Sequence, residues 1–140
     1  MSIASLSPLF SVSPQIGVKD IAGIAASGFR AIVNNRPDDE APEQPASALL
    51  AAEAKRLRLA YAHIPIVPGQ MSDAQVREFA DFLAAANGPV LAFCRTGTRS
   101  ASLWALGQAA QITAGEILTT AARAGYDLSA LRPRLEGRTA

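Results

Sequence analysis

The sequence predicts a single α/β domain with a mostly parallel central sheet of four to five strands flanked by helices. Short apolar runs of strand character alternate with stretches of helical period, the pattern left by parallel strands joined through crossover helices. A chain of 140 residues, 49% apolar and 18% charged, can bury one ordinary core but is too short for two. Neither an internal repeat nor a linker-like stretch breaks it, so residues 1–140 are read as one domain.

Taken in order, "LFSV" near the start is a weak first strand. "VKDIAGIAAS" then puts Val18, Ile21, Ala22 and Ala25 on one helical face and stops at Gly28, suited to a left-handed C-cap. "FRAIVNN" (29–35) is a strand. "PDDEAPEQPAS" (37–47), with three prolines and four acids, is an exposed loop, and "ALLAAEAKRLR" after it is built of strong helix formers. "LAYAHIPI" (59–66) is the next strand. A capping box, Ser72 with Gln75, opens a helix whose Val76, Phe79, Ala80 and Leu83 share a face and which ends at Asn87-Gly88. "PVLAF" (89–93) is a strand leading to the helix "SASLWALGQAA". A second capping box, Thr113 with Glu116, opens "AGEILTTAARAG", and "DLSALRPRLEG" supplies a short last helix halted near Pro133.

The totals exclude several function classes. A net charge of +1, with no basic run beyond "KRLR" at 55–58, gives no nucleic-acid or membrane-surface character. No apolar run approaches the roughly 20 residues that span a bilayer, and "MSIASLSPLF" has neither the charged nor the apolar region of a signal peptide, so a soluble, cytoplasmic protein is expected. One cysteine cannot close an internal disulfide. With only one histidine beside it, a zinc cluster is not expected either, and the reading calls for no metal and no cofactor.

Chemistry concentrates in "CRTGTRS". Cys94 follows a strand, and in open α/β sheets ligands bind at the carboxyl ends of strands. A turn of backbone N–H groups feeding a helix N-terminus forms an anion nest, and Gly97 allows close approach. Such a nest favours thiolate, bringing a thiol from about 8.5 into the range of about 3.5–7.5. Arg99 presents a planar fork to an anion, Arg95 adds positive potential, Ser100 is placed to donate to the sulfur, and Thr96 and Thr98 to pin the turn. The competing reading, Cys94 as a small core residue, loses to the coincidence of strand, glycine, arginines and helix.

Other residues carry weaker signals. Arg36, Asp38 and Glu40 follow a strand end and are placed either at the pocket rim or in an exposed charged loop. His63, before "IPI", reads as a hydrogen-bonded structural residue rather than a base, with the rim as the alternative. Leu103 and Trp104 read as core packing behind the loop.

The Cys94–Ser100 segment resembles the loops of cysteine-dependent phosphatases and of rhodanese-like sulfurtransferases. The whole chain resembles the phosphatase-like domain of beta-lactamase-hydrolase-like proteins, a family known both alone and fused to a persulfide dioxygenase domain. The matching runs are "VSPQI", "GFRAIVNNRPDDE", "HIPIVPGQMSD", "PVLAFCRTGTRSASLWAL" and "AARAGYDLSALRPRL". The resemblance implies a dual-specificity-phosphatase-like topology, with Cys94 and Arg99 as the catalytic pair.

Between phosphate and sulfur, the sequence leans to sulfur. Four residues separate Cys94 from Arg99, one fewer than in the phosphatase loop and equal to many rhodanese-like C-R-x-G-x-R loops. The deletion shortens the contour by up to about 3.5 Å. Where dual-specificity enzymes carry an Asp as general acid, this chain has Val67, Pro68 and Gly69. The nearest acid, Asp73, is read first as a helix-start residue and second as a rim acid. The expected function is therefore cysteine-dependent sulfur transfer from thiosulfate or a persulfide, through a Cys94 persulfide, to a thiol acceptor or a partner dioxygenase. A cysteine phosphatase is the alternative, and a non-catalytic anion-binding domain the third reading.

Overall fold

A computed structural model describes residues 2–138. Five strands, β1 (Ala4–Ser7), β2 (Phe10–Ser13), β3 (Ala31–Asn34), β4 (Ala60–His63) and β5 (Val90–Phe93), form one sheet in the order β1-β2-β5-β3-β4. All pairings are parallel except β1 with β2, which are antiparallel. The helices are α1 (Ile21–Ala26), α2 (Ser47–Arg56), α3 (Asp73–Ala85), α4 (Thr98–Gln108), α5 (Ala114–Arg123) and α6 (Arg132–Arg138).

The alternation of side chains along β5 sorts the core. Val90 and Ala92 face one cluster with Phe79, Leu103, Leu106 and Ile117 from the helices α3 to α5. Leu91 and Phe93 face the other, with Ile21, Ile24, Leu50 and Ala54 from α1 and α2. All four β5 residues are buried, as a central parallel strand covered on both faces requires. The connections through α1 and α2 lie on one face, and the return from β4 to the central β5 runs through α3 on the other. The winding therefore reverses at β5, and such a reversal opens a crevice beyond the strand's carboxyl end. Cys94 is the first residue after that end.

Three sequence expectations shift. The stretch "ASLS" (4–7) forms an edge strand that its serines concealed, paired only on one side. Val18–Asp20 forms a 3-10 turn, which changes the phase of α1 after it. Ile21 and Ile24 are buried, whereas Val18 and Ala22 are exposed. Pro133 lies in the first turn of α6 and does not halt it, because a missing N–H costs nothing where no intrahelical partner exists. Both capping hydroxyls, Ser72 and Thr113, accept the backbone N–H three residues on. Gly28 takes the left-handed φ of 99° at the end of α1.

Candidate active site

The loop from β5 to α4 is short because Gly97, with φ of 99°, turns the chain into the helix in a single left-handed step. The Gly97 N–H donates to Cys94 Sγ at 3.1 Å, so a backbone donor sits on the sulfur. Two carbonyls of the loop are turned outward and held there. That of Arg95 accepts the Gln15 N–H at 3.2 Å, and that of Thr96 accepts the Tyr126 hydroxyl at 3.2 Å. In a trans peptide N–H and C=O point opposite ways, so outward carbonyls turn the following N–H groups inward. With the start of the 11-residue α4 behind them, these groups make a concavity of positive potential. Cys94 lies beneath it, 1% exposed.

Arg99, in the first turn of α4, is held from the β3–α2 connection. Its Nη1 donates to Glu40 Oε2 at 2.8 Å and to the Ile66 carbonyl at 2.8 Å, and its Nη2 to Glu40 Oε1 at 2.9 Å. Among the described residues these bonds use three of the five guanidinium N–H groups, and Nε with the second Nη2 N–H forms the other edge of the planar fork. The Glu40 hydrogen bonds raise the Arg99 pKa, burial opposes them, and the Cys94 sulfur adds a charge attraction and a hydrogen bond. Glu40 in turn is held below the usual carboxylate range, first by its bond from Arg99, against the cost of burial, and then by its bond from Arg36.

Arg36 is neither on the pocket rim nor in an exposed loop. It is 4% exposed, donating from Nε to Glu40 Oε1 at 2.9 Å and from Nη1 to Gln15 Oε1 at 3.0 Å. Burial is tolerated because the charge is paired. Asp38 is exposed in the loop, where its Oδ1 accepts the N–H of Ser47, the first residue of α2, at 2.8 Å. His63 Nε2 donates to the Arg36 carbonyl at 2.8 Å, a structural bond. Asp73, exposed at the start of α3, pairs with Arg134 at 2.9 Å. Ser100 does not reach the sulfur: its hydroxyl, fully buried, donates to Asn35 Oδ1 at 2.7 Å. Thr96 and Thr98 are joined through their hydroxyls at 3.1 Å, and Arg95 is exposed beside them.

Residue reasoning missed Gln15, Asn35 and Tyr126 as parts of this site. Gln15 and Asn35 follow strand ends at the sheet's carboxyl edge, a signal that a polar residue after an apolar run carries. Tyr126, 32 positions beyond Cys94, had no such signal; only the fold brings it to Gly97. A groove of about 380 Å³ adjoins Arg99, walled by Ile66, Pro68, Met71, Leu131 and Arg134. Among the described residues no three His, Cys, Asp or Glu side chains group as metal ligands, and no helix is long and apolar enough to cross a membrane.

Residues 2–111 match the family described as beta-lactamase hydrolase-like protein, phosphatase-like domain. A beta-lactamase hydrolase-like protein of Agrobacterium fabrum is 32% identical over the whole chain, which spans 33% of that relative's length. A crystal structure of a proposed phosphatase from Neisseria meningitidis is 34% identical, with a TM-score of 0.89 over 99% of both chains. Tk-PTP in its active form shares the fold at a TM-score of 0.77 and 18% identity, over 99% of this chain and 95% of its own. The five-stranded sheet, the Cys94 loop and these likenesses together place the chain in the phosphatase-like domain family of beta-lactamase hydrolase-like proteins, with a cysteine-phosphatase fold.

Proposed function

We propose that the domain is a cysteine-dependent enzyme acting on a small anion, and that the group it moves is sulfane sulfur. Cys94 is the nucleophile, and the backbone donors of residues 95–97, with Arg95 and the edge of Arg99 away from Glu40, hold the anion. The Cys94 thiolate attacks the outer sulfur of thiosulfate or of a persulfide; the S–S bond to the donor breaks, and sulfite or a thiolate leaves with its electron pair. A thiolate acceptor then attacks the outer sulfur of the Cys94 persulfide, carrying that sulfur away and restoring the Cys94 thiolate. The groove beside Arg99 gives a donor or acceptor room for its carbon skeleton.

The observation that carries this reading is the engagement of the nearby carboxylates. Glu40 is ionised between two arginines, Asp73 accepts from Arg134, and Asp38 accepts from a backbone N–H. Sulfite and thiolates leave without a proton, whereas an alkoxide leaves slowly without one, and general acid catalysis is worth roughly 10²–10⁴-fold. A second reading, phosphate-monoester hydrolysis through a phosphocysteine, is favoured by the family's phosphatase-like description and by the shared fold.

Thiosulfate with cyanide, and separately an aryl phosphate, distinguish the two. Thiocyanate formation that vanishes in Cys94→Ser, with one sulfur added to Cys94 in the mass spectrum after donor treatment, is the expected result. Phosphate release dependent on Cys94, without thiocyanate or a sulfur adduct, would replace sulfur transfer by the phosphatase reading.

A further inference from the structure

The two ends of one peptide unit, Thr96–Gly97, are both engaged. Its carbonyl accepts the Tyr126 hydroxyl at 3.2 Å, and its N–H donates to Cys94 Sγ at 3.1 Å. The Tyr126 ring also lies over Gly97 so closely that a methyl group there would overlap the phenol oxygen. The φ of 99° at Gly97 leaves the flanking peptide with a low barrier to rotation, because no side chain fixes it. Holding the carbonyl outward is thus the means of keeping the N–H on the sulfur.

We infer that Tyr126 is a positioning residue of the Cys94 loop, its hydroxyl anchoring the Thr96 carbonyl so that the Gly97 N–H is aimed at the thiolate. This holds whether sulfur or phosphate is transferred, and it extends the candidate site to the connection between α5 and α6. The other charged and titratable groups about the sulfur are Arg99 from α4 and Arg95 in the loop, with Glu40 and Arg36 beyond Arg99; the turn after β2 contributes the neutral Gln15. Burial and the charge on Cys94 both raise the Tyr126 pKa, so the phenol keeps its proton, and its donor capacity, when the thiolate forms.

Cys94 is the chain's single cysteine, so alkylation by iodoacetamide, followed by mass spectrometry, reads it directly. At neutral pH, Tyr126→Phe, which keeps the ring over Gly97, is expected to be alkylated about tenfold more slowly than the parent, the worth of one hydrogen bond to a charged group. The difference should be largest near neutrality and shrink in strongly alkaline solution, where hydroxide supplies the thiolate whatever the aim of the Gly97 N–H. Tyr126→Leu, lacking both ring and hydroxyl, should be slowed at least as much. Equal rates for Tyr126→Phe and the parent at every pH would overturn the inference, as would a difference unchanged by pH or a slowing confined to Tyr126→Leu. These rates need no turnover, so the test stands even if both thiocyanate and phosphate assays are negative.

Discussion

Glu40 joins two arginines with one carboxylate, and that single residue decides how Arg99 is presented. Without it the guanidinium loses its two-pronged carboxylate anchor and keeps the Ile66 carbonyl and its attraction to the Cys94 sulfur, so the fork can rotate from its place beside the loop. Glu40→Gln should therefore lower kcat/KM on the assayed anion by roughly 10- to 100-fold, the usual effect of a misplaced positioning group. The same carboxylate sets an acid limit. Its pKa in the fold lies below the ordinary 4.5, so its contribution to stability is complete above about pH 4.5 and lost as pH falls through the lowered value. Thermal unfolding followed on acidification should show the midpoint falling in that window, and Glu40→Gln should lack the portion of the fall that belongs to this group.

At the scale of elements, the site depends on how α4 is docked against the sheet. Ser100 on α4 donates to Asn35 just past β3, and the other end of the Asn35 amide donates to the Ile64 carbonyl after β4 at 3.0 Å. One buried asparagine thus ties a helix and two strand ends around the loop. Ser100→Ala leaves the Asn35 oxygen without its donor and should cost about 1–3 kcal/mol in urea unfolding. Because Ser100 does not touch the sulfur, the rate of Cys94 alkylation should stay near that of the parent. Sequence and structure agree where period and caps coincide, as in α3 with its Ser72–Gln75 box and its buried Val76 and Phe79. They part at α1, where a 3-10 turn alters the helical phase, and at β1, where an edge strand needs only one buried side chain, Leu6, to be held.

For the whole molecule, the larger of the two buried clusters lies on the face that carries α3 to α6. Phe79 of α3 meets Phe10 of β2 edge-on, with ring centroids 5.7 Å apart at 88°, and both are nearly fully buried. Phe79→Ala should destabilise the fold by about 3–5 kcal/mol, measured by denaturant unfolding, the usual cost of removing a fully buried aromatic ring and leaving a cavity. The sequence by itself determined the α/β class, three of the five strands with much of β2, and the cysteine, glycine and arginine of the loop, because period, caps and a local turn are properties of neighbours along the chain. Only the tertiary structure decided that Ser100 turns from the sulfur to Asn35, that Glu40, backed by buried Arg36, holds Arg99, and that Tyr126 closes on the Gly97 turn. The bonds from Ser100 to Asn35, from Arg99 to Glu40 and from Tyr126 to Thr96 join residues 30 to 65 positions apart. Their geometry follows from where β5 enters the sheet, which no local pattern records.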